Sequence, residues 1–344
     1  MKHWNQFFAF AISLTCALAS PAAGAAGPTL YGVLNLSIDD LDNGTDSALN
    51  ISSNSSRLGV KGDIQVNDAL TGIYQIESEL RADDSTGGTL ATRNTFVGLQ
   101  GGYGTLRLGR LDTPVKALGR AVDLFADQVG DARNLTRGAN NNLSRFDERP
   151  TNSLDYATPE WAGFKGAILY STNNDATVTA TNDNDLISAA VNYARGPALV
   201  GFGYETAGNT DATQDDPSVL RLAGYYDLGD AWRFIGFWQT VSGTIADNDE
   251  DVYGLGARYR SGGWMYKFQL YQLTADADDM DASLIALGAE YMLQKGFTLY
   301  ADYAATDNDD NRSLTPYAQG HGDNLVAATG DAAKAVSFGA IFKF

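Results

Sequence analysis

Hydrophobic and polar residues alternate along most of the chain in short segments. Near the start of this pattern, Leu34, Leu36 and Ile38 occupy every second position, with the polar Asn35 and Ser37 between them. A period of two residues predicts a β-strand with one apolar face. By this criterion there are sixteen predicted strands, at residues 29–38, 52–64, 69–81, 92–100, 105–110, 152–158, 164–172, 185–195, 197–206, 218–228, 231–240, 251–260, 264–274, 283–293, 297–306 and 335–344.

The connections between the predicted strands alternate in length. Those after even-numbered strands are short and rich in glycine, whereas those after odd-numbered strands are longer and polar, and most of them are acidic. Short turns at one rim and long loops at the other, with aromatic residues near the ends of the apolar faces, are typical of outer-membrane barrels. The sequence therefore predicts an all-β fold, a transmembrane sixteen-stranded antiparallel β-barrel.

The longest interruption of the alternation lies at residues 111–148. A loop of this length inside a regular domain is either functional or disordered. Within it, Leu118, Val122, Phe125 and Val129 recur at helical spacing. On a helix they form one apolar stripe, so we predict a helical segment that packs on a wall and narrows a pore.

The opposite side of this predicted helix carries carboxylates, which we expect to face water. They belong to Asp123, Asp127 and Asp131, and the same side carries Lys116 and Arg120 one or two turns earlier. One interpretation is a solvated helix face whose acids pair with these bases. The other, which we favour, places Asp123 and Asp127 at the constriction of the pore and Asp131 beside them as a further pore-lining residue.

The first 25 residues have the features of a secretory signal. Lys2 precedes an apolar run at residues 7–18, and small residues follow up to Ala25. The apolar run is shorter than a membrane-spanning helix, so a cleaved signal peptide over residues 1–25 is favoured over an anchor helix. The remainder, residues 26–344, is predicted to be a single transmembrane β-barrel domain. The only cysteine, Cys16, lies in the signal, so no disulfide framework is predicted for that domain.

Residues that support catalysis or metal binding are scarce. After the predicted signal there is one histidine, His321, so neither a histidine-pair metal site nor a Ser-His-Asp triad is expected. A phosphate-binding Gly-Lys loop is also missing from the sequence. The formal net charge of −18 argues against a nucleic-acid partner. We therefore predict no catalytic residue, no cofactor, no metal site and a function other than catalysis.

Several stretches of the sequence resemble the general porin family of Gram-negative bacteria. They are TLYG at 29–32, SRLGVKG at 56–62, ALTGIYQIESE at 69–79, TRNTFVGL at 92–99, GTLRLGRLDTP at 104–114, RPTNSLDYATP at 149–159 and the terminal Phe344. The resemblance implies a homotrimeric diffusion porin of the outer membrane whose third extracellular loop, here about 111–148, folds inward. It also implies contact with outer-membrane lipid and lipopolysaccharide, and barrel-assembly machinery that reads Phe344 as an assembly signal.

In this family, arginines of the barrel wall face acidic residues of the inward loop. The matching positions are Arg57, Arg93 and Arg149, each on the strand face opposite the apolar set. A guanidinium on the lipid face would cost about 2–4 kcal/mol, so these side chains are expected in the lumen. We predict them as the basic wall of the constriction, with Gln75 and Glu77 as further pore-lining residues. The alternative is that they are merely solvated, or that they pair with Glu77 and Glu79.

Acidic charge is distributed unevenly along the chain. Residues 111–148 contain six acidic and five basic residues, so the excess lies in the other long loops. A negative vestibule concentrates cations. We therefore expect passive diffusion of small hydrophilic solutes and ions with a mild cation preference. The alternatives are a substrate-selective outer-membrane channel or, in another class, an exported β-rich adhesin or binding protein.

Overall fold

The computed structural model describes residues 27–83, 90–137, 146–172, 185–208, 216–243, 249–317, 319–322, 325 and 328–344. The predicted signal peptide at residues 1–25 lies outside the described residues. Within the described ranges, no helix is long and apolar enough to cross a membrane.

Strands dominate the described part of the chain, and two short helices lie in the longest connection. The strands are β1 (Thr29–Asp42), β2 (Ser47–Ser53), β3 (Arg57–Asn67), β4 (Leu70–Glu79), β5 (Thr95–Gly101), β6 (Gly104–Arg110), β7 (Ser153–Ala157), β8 (Phe164–Ser171), β9 (Leu186–Arg195), β10 (Ala198–Ala207), β11 (Ser218–Leu228), β12 (Trp232–Ser242), β13 (Glu250–Ser261), β14 (Trp264–Ala275), β15 (Ala282–Gln294), β16 (Phe297–Asn308) and β17 (Ala333–Lys343). The helices are α1 (Pro114–Arg120) and α2 (Arg133–Thr136).

The strands form a closed barrel. From β3 to β17, each strand pairs antiparallel with the next. The last strand, β17, pairs with β1, where Leu36 lies opposite Ala340. On its other side β1 pairs with both β2 and β3, which are two parts of one wall strand separated at residues 54–56. The predicted sixteen-stranded antiparallel barrel is therefore confirmed.

The two faces of the barrel wall differ in chemistry. In β14, Tyr266 and Leu270 are exposed, whereas Lys267, Gln269 and Tyr271 between or beside them are buried. The exposed apolar set forms the outer surface, which meets the membrane. The buried, mostly polar set faces the interior.

Aromatic side chains cluster at the rim with the short turns. The ring of Trp264 lies 4.8 Å from that of Tyr291, and the ring of Trp232 lies 4.6 Å from that of Tyr259, measured between ring centroids. All four residues are next to a short turn. Such a belt is typical of the membrane interface of a β-barrel.

The segment at residues 111–148 differs from the predicted continuous helix. Helix α1 ends at Arg120, and turns follow up to Gly130. Asp127 has φ 62° and Gly130 has φ 86°, left-handed conformations that a right-handed helix cannot contain. The four residues of the predicted apolar stripe are nevertheless buried: Leu118, Val122, Phe125 and Val129. The spacing thus identified the buried side of the segment, but the helix prediction is wrong beyond α1.

The apolar side of this segment packs against the inner face of the wall. Leu118 and Val122 share a buried cluster with Ala223 and Phe237 of β11 and β12. The neighbouring Leu222 is exposed on the outer surface, so Ala223 faces the interior. The segment therefore lies inside the barrel, where burial of these side chains holds it against the wall.

A second buried cluster connects the segment to the last long connection, at residues 309–332. Phe125 and Val129 pack with Ala286 and Ala304 of the inner wall, and Tyr317 from the last connection joins them. Two loops are therefore packed together over the same part of the wall.

Candidate functional site

The constriction segment meets the barrel wall at Arg57 of β3. Its Nη1 lies 3.5 Å from Oδ2 of Asp127 and donates to the carbonyl oxygen of Ser55 at 3.0 Å. The Asp127 carboxylate also lies 2.9 Å from Nη2 of Arg120 and 3.5 Å from Nη2 of Arg133. One carboxylate is thus shared by three guanidinium groups, which leaves positive charge in excess at this point.

A second group of contacts lies on the adjoining wall. Nε of Arg93 donates to Oε1 of Glu77 at 2.7 Å. Nη2 of Arg149 lies 2.9 Å from Oδ1 of Asp112, and its Nε donates to Oδ1 of Asn94 at 2.7 Å. Arg93 is held by Glu77 of the wall, and Arg149 is held by Asp112 at the start of the segment. Among the described residues, Arg57 is therefore the one predicted wall arginine that contacts a predicted loop carboxylate.

Asp123 organises the turn after α1. Its carboxylate accepts the backbone N–H groups of Phe125 at 3.0 Å and Ala132 at 3.2 Å, and the side-chain amide of Gln269 in the wall at 3.1 Å. Burial and the neighbouring Asp131 raise the pKa of Asp123 to about 7, although the hydrogen-bond donors favour its charged form. Asp123 therefore fastens the segment to β14, and its role in the constriction stays a prediction.

Asp131 is fully buried, which corrects the expectation that its carboxylate faces water. The left-handed turns before it redirect the chain, so that the carboxylate lies 3.1 Å from Nη1 of Arg120 and 2.7 Å from Nη2 of Arg133. Burial alone would raise the pKa of Asp131, but Arg133 and Arg120 hold it below its usual range. Asp131 therefore orients the guanidinium groups of Arg120 and Arg133, and its role as a pore-lining residue stays a prediction.

Two other predicted residues occupy simpler positions. Gln75 lies on the inner face of β4 and donates to the carbonyl oxygen of Asn94 at 3.2 Å. Phe344 follows β17, and its backbone N–H and carbonyl groups pair with Gly32 at 3.1 and 3.0 Å. The Phe344 ring is exposed at the short-turn rim.

Cations outnumber carboxylates at the constriction. The cations are Arg57, Arg93, Lys116, Arg120, Arg133 and Arg149, and their carboxylate partners are Glu77, Asp112, Asp127 and Asp131. Burial lowers the pKa of Lys116 to about 8, which still leaves it mostly protonated at neutral pH. The near-neutral count of residues 111–148 conceals this excess, because Arg57, Arg93 and Arg149 lie outside that range and Asp147 pairs with Arg221 of the wall. Asp123, beside Asp131, adds one further carboxylate and leaves the cations in excess.

A fully buried arginine fastens both ends of the described segment to the wall. Nη1 of Arg221 donates to the carbonyl oxygen of Val115 at 2.9 Å and to Oδ1 of Asp147 at 2.6 Å. Its Nη2 donates to the carbonyl oxygen of Thr136 at 3.3 Å, and its Nε donates to Gln239 at 2.9 Å. The sequence reasoning missed Arg221, although an arginine on the inner face of an apolar strand was a visible signal.

The last long connection lies on the constriction segment. Gly130 donates its backbone N–H to the carbonyl oxygen of Pro316 at 2.6 Å. Gly320 has φ 78°, and an added Cβ would lie 2.6 Å from a guanidinium nitrogen of the segment, so only glycine allows this approach. Nε2 of His321 lies 3.1 Å from Oδ2 of Asp39 in β1. Both loops therefore shape the constriction.

A closed barrel with an apolar outer surface, a polar interior and a charged loop packed inside defines a channel protein of the bacterial outer membrane. The chain belongs to the Gram-negative porin family, whose model matches residues 10–311. Outer membrane porin protein 32 of Delftia acidovorans is 30% identical over 328 residues, 90% of this chain and 92% of that protein. A major outer membrane protein P.IB of Neisseria meningitidis serogroup B is 29% identical over 83% of this chain and 88% of its own length.

Solved structures agree with this assignment. The anion-selective porin from Comamonas acidovorans superposes with a TM-score of 0.82 at 25% identity, covering 92% of this chain and 99% of that one. OmpT of Vibrio cholerae in its trimer form shares the fold, with a TM-score of 0.69 at 19% identity over 92% of this chain and 99% of that one. The protein is thus an outer-membrane porin.

Proposed function

We propose that this porin lets small hydrophilic solutes and ions diffuse passively through a pore narrowed by residues 111–148. The observation that carries the proposal is the contact of 3.5 Å between Arg57 of the wall and Asp127 of the inward segment. Arg57 and Asp127 touch each other, and with Arg120 and Arg133 they place fixed charges of both signs at the edge of the water-filled path, where these charges create a local electric field. Such a field favours ions and dipolar solutes over apolar ones.

The ion preference follows from two charged regions with opposite effects. The long connections carry acidic residues such as Asp276, Asp278 and Asp279, and these favour the mild cation preference expected from the formal charge. The constriction carries more cations than carboxylates, and these favour anions. We propose that the constriction dominates, because permeating ions come closest to fixed charges there. The relative from Comamonas acidovorans, described as anion-selective, supports this choice.

Measurements at two salt concentrations distinguish the effect of the loop charges on ion preference from the effect of the constriction charges. The screening length is about 10 Å at 0.1 M salt and about 3 Å at 1 M, so the distant loop charges are screened first. In planar bilayers with a KCl gradient, the reversal potential should indicate a preference for chloride that increases from 0.1 M to 1 M. A preference for potassium at both concentrations would show that the acidic loops decide, and would contradict the proposal.

We also infer that three copies assemble. Strands β5, β6 and β7 have 7, 7 and 5 residues, fewer than the roughly 9–11 that a strand needs to cross the membrane. A neighbouring copy would cover the outer face of these short strands and shield it from lipid. The rest of the outer face would contact lipid and lipopolysaccharide. The trimer form of OmpT supports this inference. Native mass spectrometry in detergent should give a trimer, whereas a monomer would contradict it.

A further inference from the structure

A row of cations crosses the inner wall, from Lys267, which donates to Gln128 of the inward segment at 2.6 Å, to Arg233. Strand register places Arg233 of β12 directly opposite Arg258 of β13, and Arg258 directly opposite Lys267 of β14. All three residues lie on the inner face. Like charges that face each other across strands destabilise a sheet. Such a row therefore requires negative charge beside it.

The two outer members of the row have carboxylates of their own. Nζ of Lys267 lies 2.7 Å from Oε1 of Glu290 and 3.7 Å from Oδ1 of Asp302. Arg233 makes a bidentate contact with Asp227, with both nitrogen–oxygen distances at 2.7 Å. The charges of Lys267 and Arg233 are thus compensated by the protein itself.

Arg258, in the middle of the row, is compensated poorly. Its carboxylate contact is Asp227, 3.7 Å from Nη2, and both oxygens of that carboxylate already bind Arg233. Nε of Arg258 is buried and has no hydrogen-bond partner among the described residues. A buried donor without a partner is unfavourable, and because 16% of the Arg258 side chain is exposed, an acceptor from outside the protein can approach the exposed part of this side chain.

Space and further positive charge lie next to Arg258. Arg260, two residues closer to the rim on the same face, is exposed. It lines a cavity of about 390 Å³ together with Lys343 and Glu290, and Arg258 lies beside this lining, one inner-face position further from the rim. Because Glu290 already binds Lys267, the charges of Arg260 and Lys343 remain available on this side. The cavity is large enough for a small hydrated anion.

We propose that Arg258 and Arg260 form a binding site for a small doubly charged oxyanion of the inorganic phosphate type. Planar guanidinium groups bind such oxygens in pairs, which chloride cannot reproduce. Arg233 stays in place beside the site, because its guanidinium lies 3.6 Å from the centroid of the Tyr225 ring and binds Asp227. Anions that have passed the constriction rest here before they leave, in a site weak enough to release them. The proposal rests on the diffusion function proposed above.

Competition between phosphate and chloride tests the site. In single-channel recordings in KCl at constant ionic strength, added potassium phosphate should reduce the chloride current with saturation. In Arg258→Gln, half-saturation should require about ten-fold more phosphate, the change expected when a charged hydrogen-bonding partner is removed. Arg258→Lys keeps the charge but loses the guanidinium, so it should also bind phosphate more weakly than the wild type.

Lys61→Gln is the matched control. Lys61 is an exposed inner-face cation of β3, on a part of the barrel far from β13, and its removal changes the net charge equally. In Lys61→Gln, the phosphate concentration needed for half-saturation should change less than about two-fold, because distant charges are screened. Equal shifts in Arg258→Gln and Lys61→Gln, or a wild-type current that phosphate does not saturate, would overturn the site. The diffusion function would still hold in that case, whereas absence of any KCl conductance would contradict that function itself.

Discussion

Asp127 is the residue at which the charge of the constriction can be changed most directly. Its carboxylate contacts Arg57, Arg120 and Arg133, so Asp127→Asn leaves three guanidinium groups with less negative charge. We expect the chloride-to-potassium permeability ratio to rise about two- to five-fold, since one charge at 4–8 Å in water contributes roughly 0.5–1 kcal/mol. Reversal potentials in a KCl gradient measure this ratio.

Asp278→Asn provides the comparison for this change. Asp278 is exposed in the connection between β14 and β15, and the substitution alters the formal charge by the same amount. Its effect should be small at 1 M salt because the charge is screened there. If Asp278→Asn changes the ratio as much as Asp127→Asn does, ion selection occurs at the mouth and not at the constriction.

Asp123 makes the constriction sensitive to pH. Burial and Asp131 raise its pKa to about 7, above the value near 3.9 of an unfolded aspartate. The neutral form therefore stabilises the folded segment below pH 4, and this stabilisation is lost as pH rises towards 7. Ionisation also adds negative charge, so the preference for chloride should fall between pH 5 and pH 8.

Reversal potentials over this pH range test Asp123. The wild type should change with a midpoint near the pKa of about 7, and Asp123→Asn should show a smaller change, because other buried carboxylates such as Glu205 and Asp302 remain. His321→Gln should keep the full transition, because His321 contacts Asp39 and not Asp123. A transition of unchanged size in Asp123→Asn would assign the pH dependence to another group.

Contacts between individual side chains were only partly predictable. Strand alternation and the family motifs singled out Arg57 and Asp127, which the structure places 3.5 Å apart. The contact of Arg93 with Glu77 agrees with the alternative in which the wall arginines pair with glutamates, and the contact of Arg133 with Asp127 was not foreseen. Alternation fixes the face on which a side chain lies, but the partner of a loop residue depends on turns that the pattern does not encode.

At the scale of elements, the inward segment depends on its attachment to β11. Arg221→Met would leave the buried Asp147 without its cationic partner, a change that typically costs about 3–5 kcal/mol. It would also remove the guanidinium hydrogen bonds to the carbonyl oxygens of Val115 and Thr136. We therefore expect the segment to detach from the wall, which should make the single-channel current noisier and expose the segment to proteases.

Two further variants show whether this effect is specific. Arg107→Met removes another inner-wall arginine, but that arginine binds Asp155 of the wall and not the segment, so the current should stay steady. Combining Arg221→Met with Asp147→Leu removes both charges and should partly restore the low noise of the wild-type single-channel current. Equal noise in Arg107→Met and Arg221→Met would contradict an anchoring role for Arg221.

The strands themselves were predicted well, and the errors have a physical cause. The first strand was predicted to end at residue 38, but β1 continues to Asp42 and pairs with β2, which begins before the predicted start of the second strand at residue 52. Acidic residues there resemble a loop. In a barrel, a strand can continue beyond the apolar band, where both faces are polar, so alternation disappears before the strand ends.

At the scale of the whole molecule, Phe344 connects closure of the barrel with its assembly. Its backbone pairs with Gly32, and its ring is exposed. If assembly machinery reads this residue, Phe344→Ala should reduce the folded porin in the outer membrane of cells, while refolding from urea into detergent should proceed as in the wild type. Heat-modifiable migration on gels measures the folded fraction in both settings.

Phe338→Ala is the control for this experiment. Phe338 is an exposed aromatic residue of the same strand, so its loss removes a similar outward ring. Normal assembly of Phe338→Ala and poor assembly of Phe344→Ala would support a terminal signal. Poor refolding of Phe344→Ala in detergent would show instead that the residue is needed for the fold alone.

The formal charge of −18 does not describe how charge is distributed inside the barrel. It counts acidic loops together with the interior, and only the register shows that cations such as Arg233, Arg258 and Lys267 share one row inside the barrel. A net charge summed over the chain does not say where each charge lies. The electrical character of a channel depends on the charges within a screening length of the ion path.

The left-handed backbone at Asp127 limits how this porin can evolve. With φ 62°, the position accepts glycine, asparagine or aspartate readily, whereas a lysine or arginine would be strained. One nucleotide change in an aspartate codon can neutralise the charge without strain, but reversing its sign requires a residue that does not fit the turn. Natural variation at this position should therefore move the pore towards anions in small steps, and descendants that select cations more strongly must acquire their new charges elsewhere.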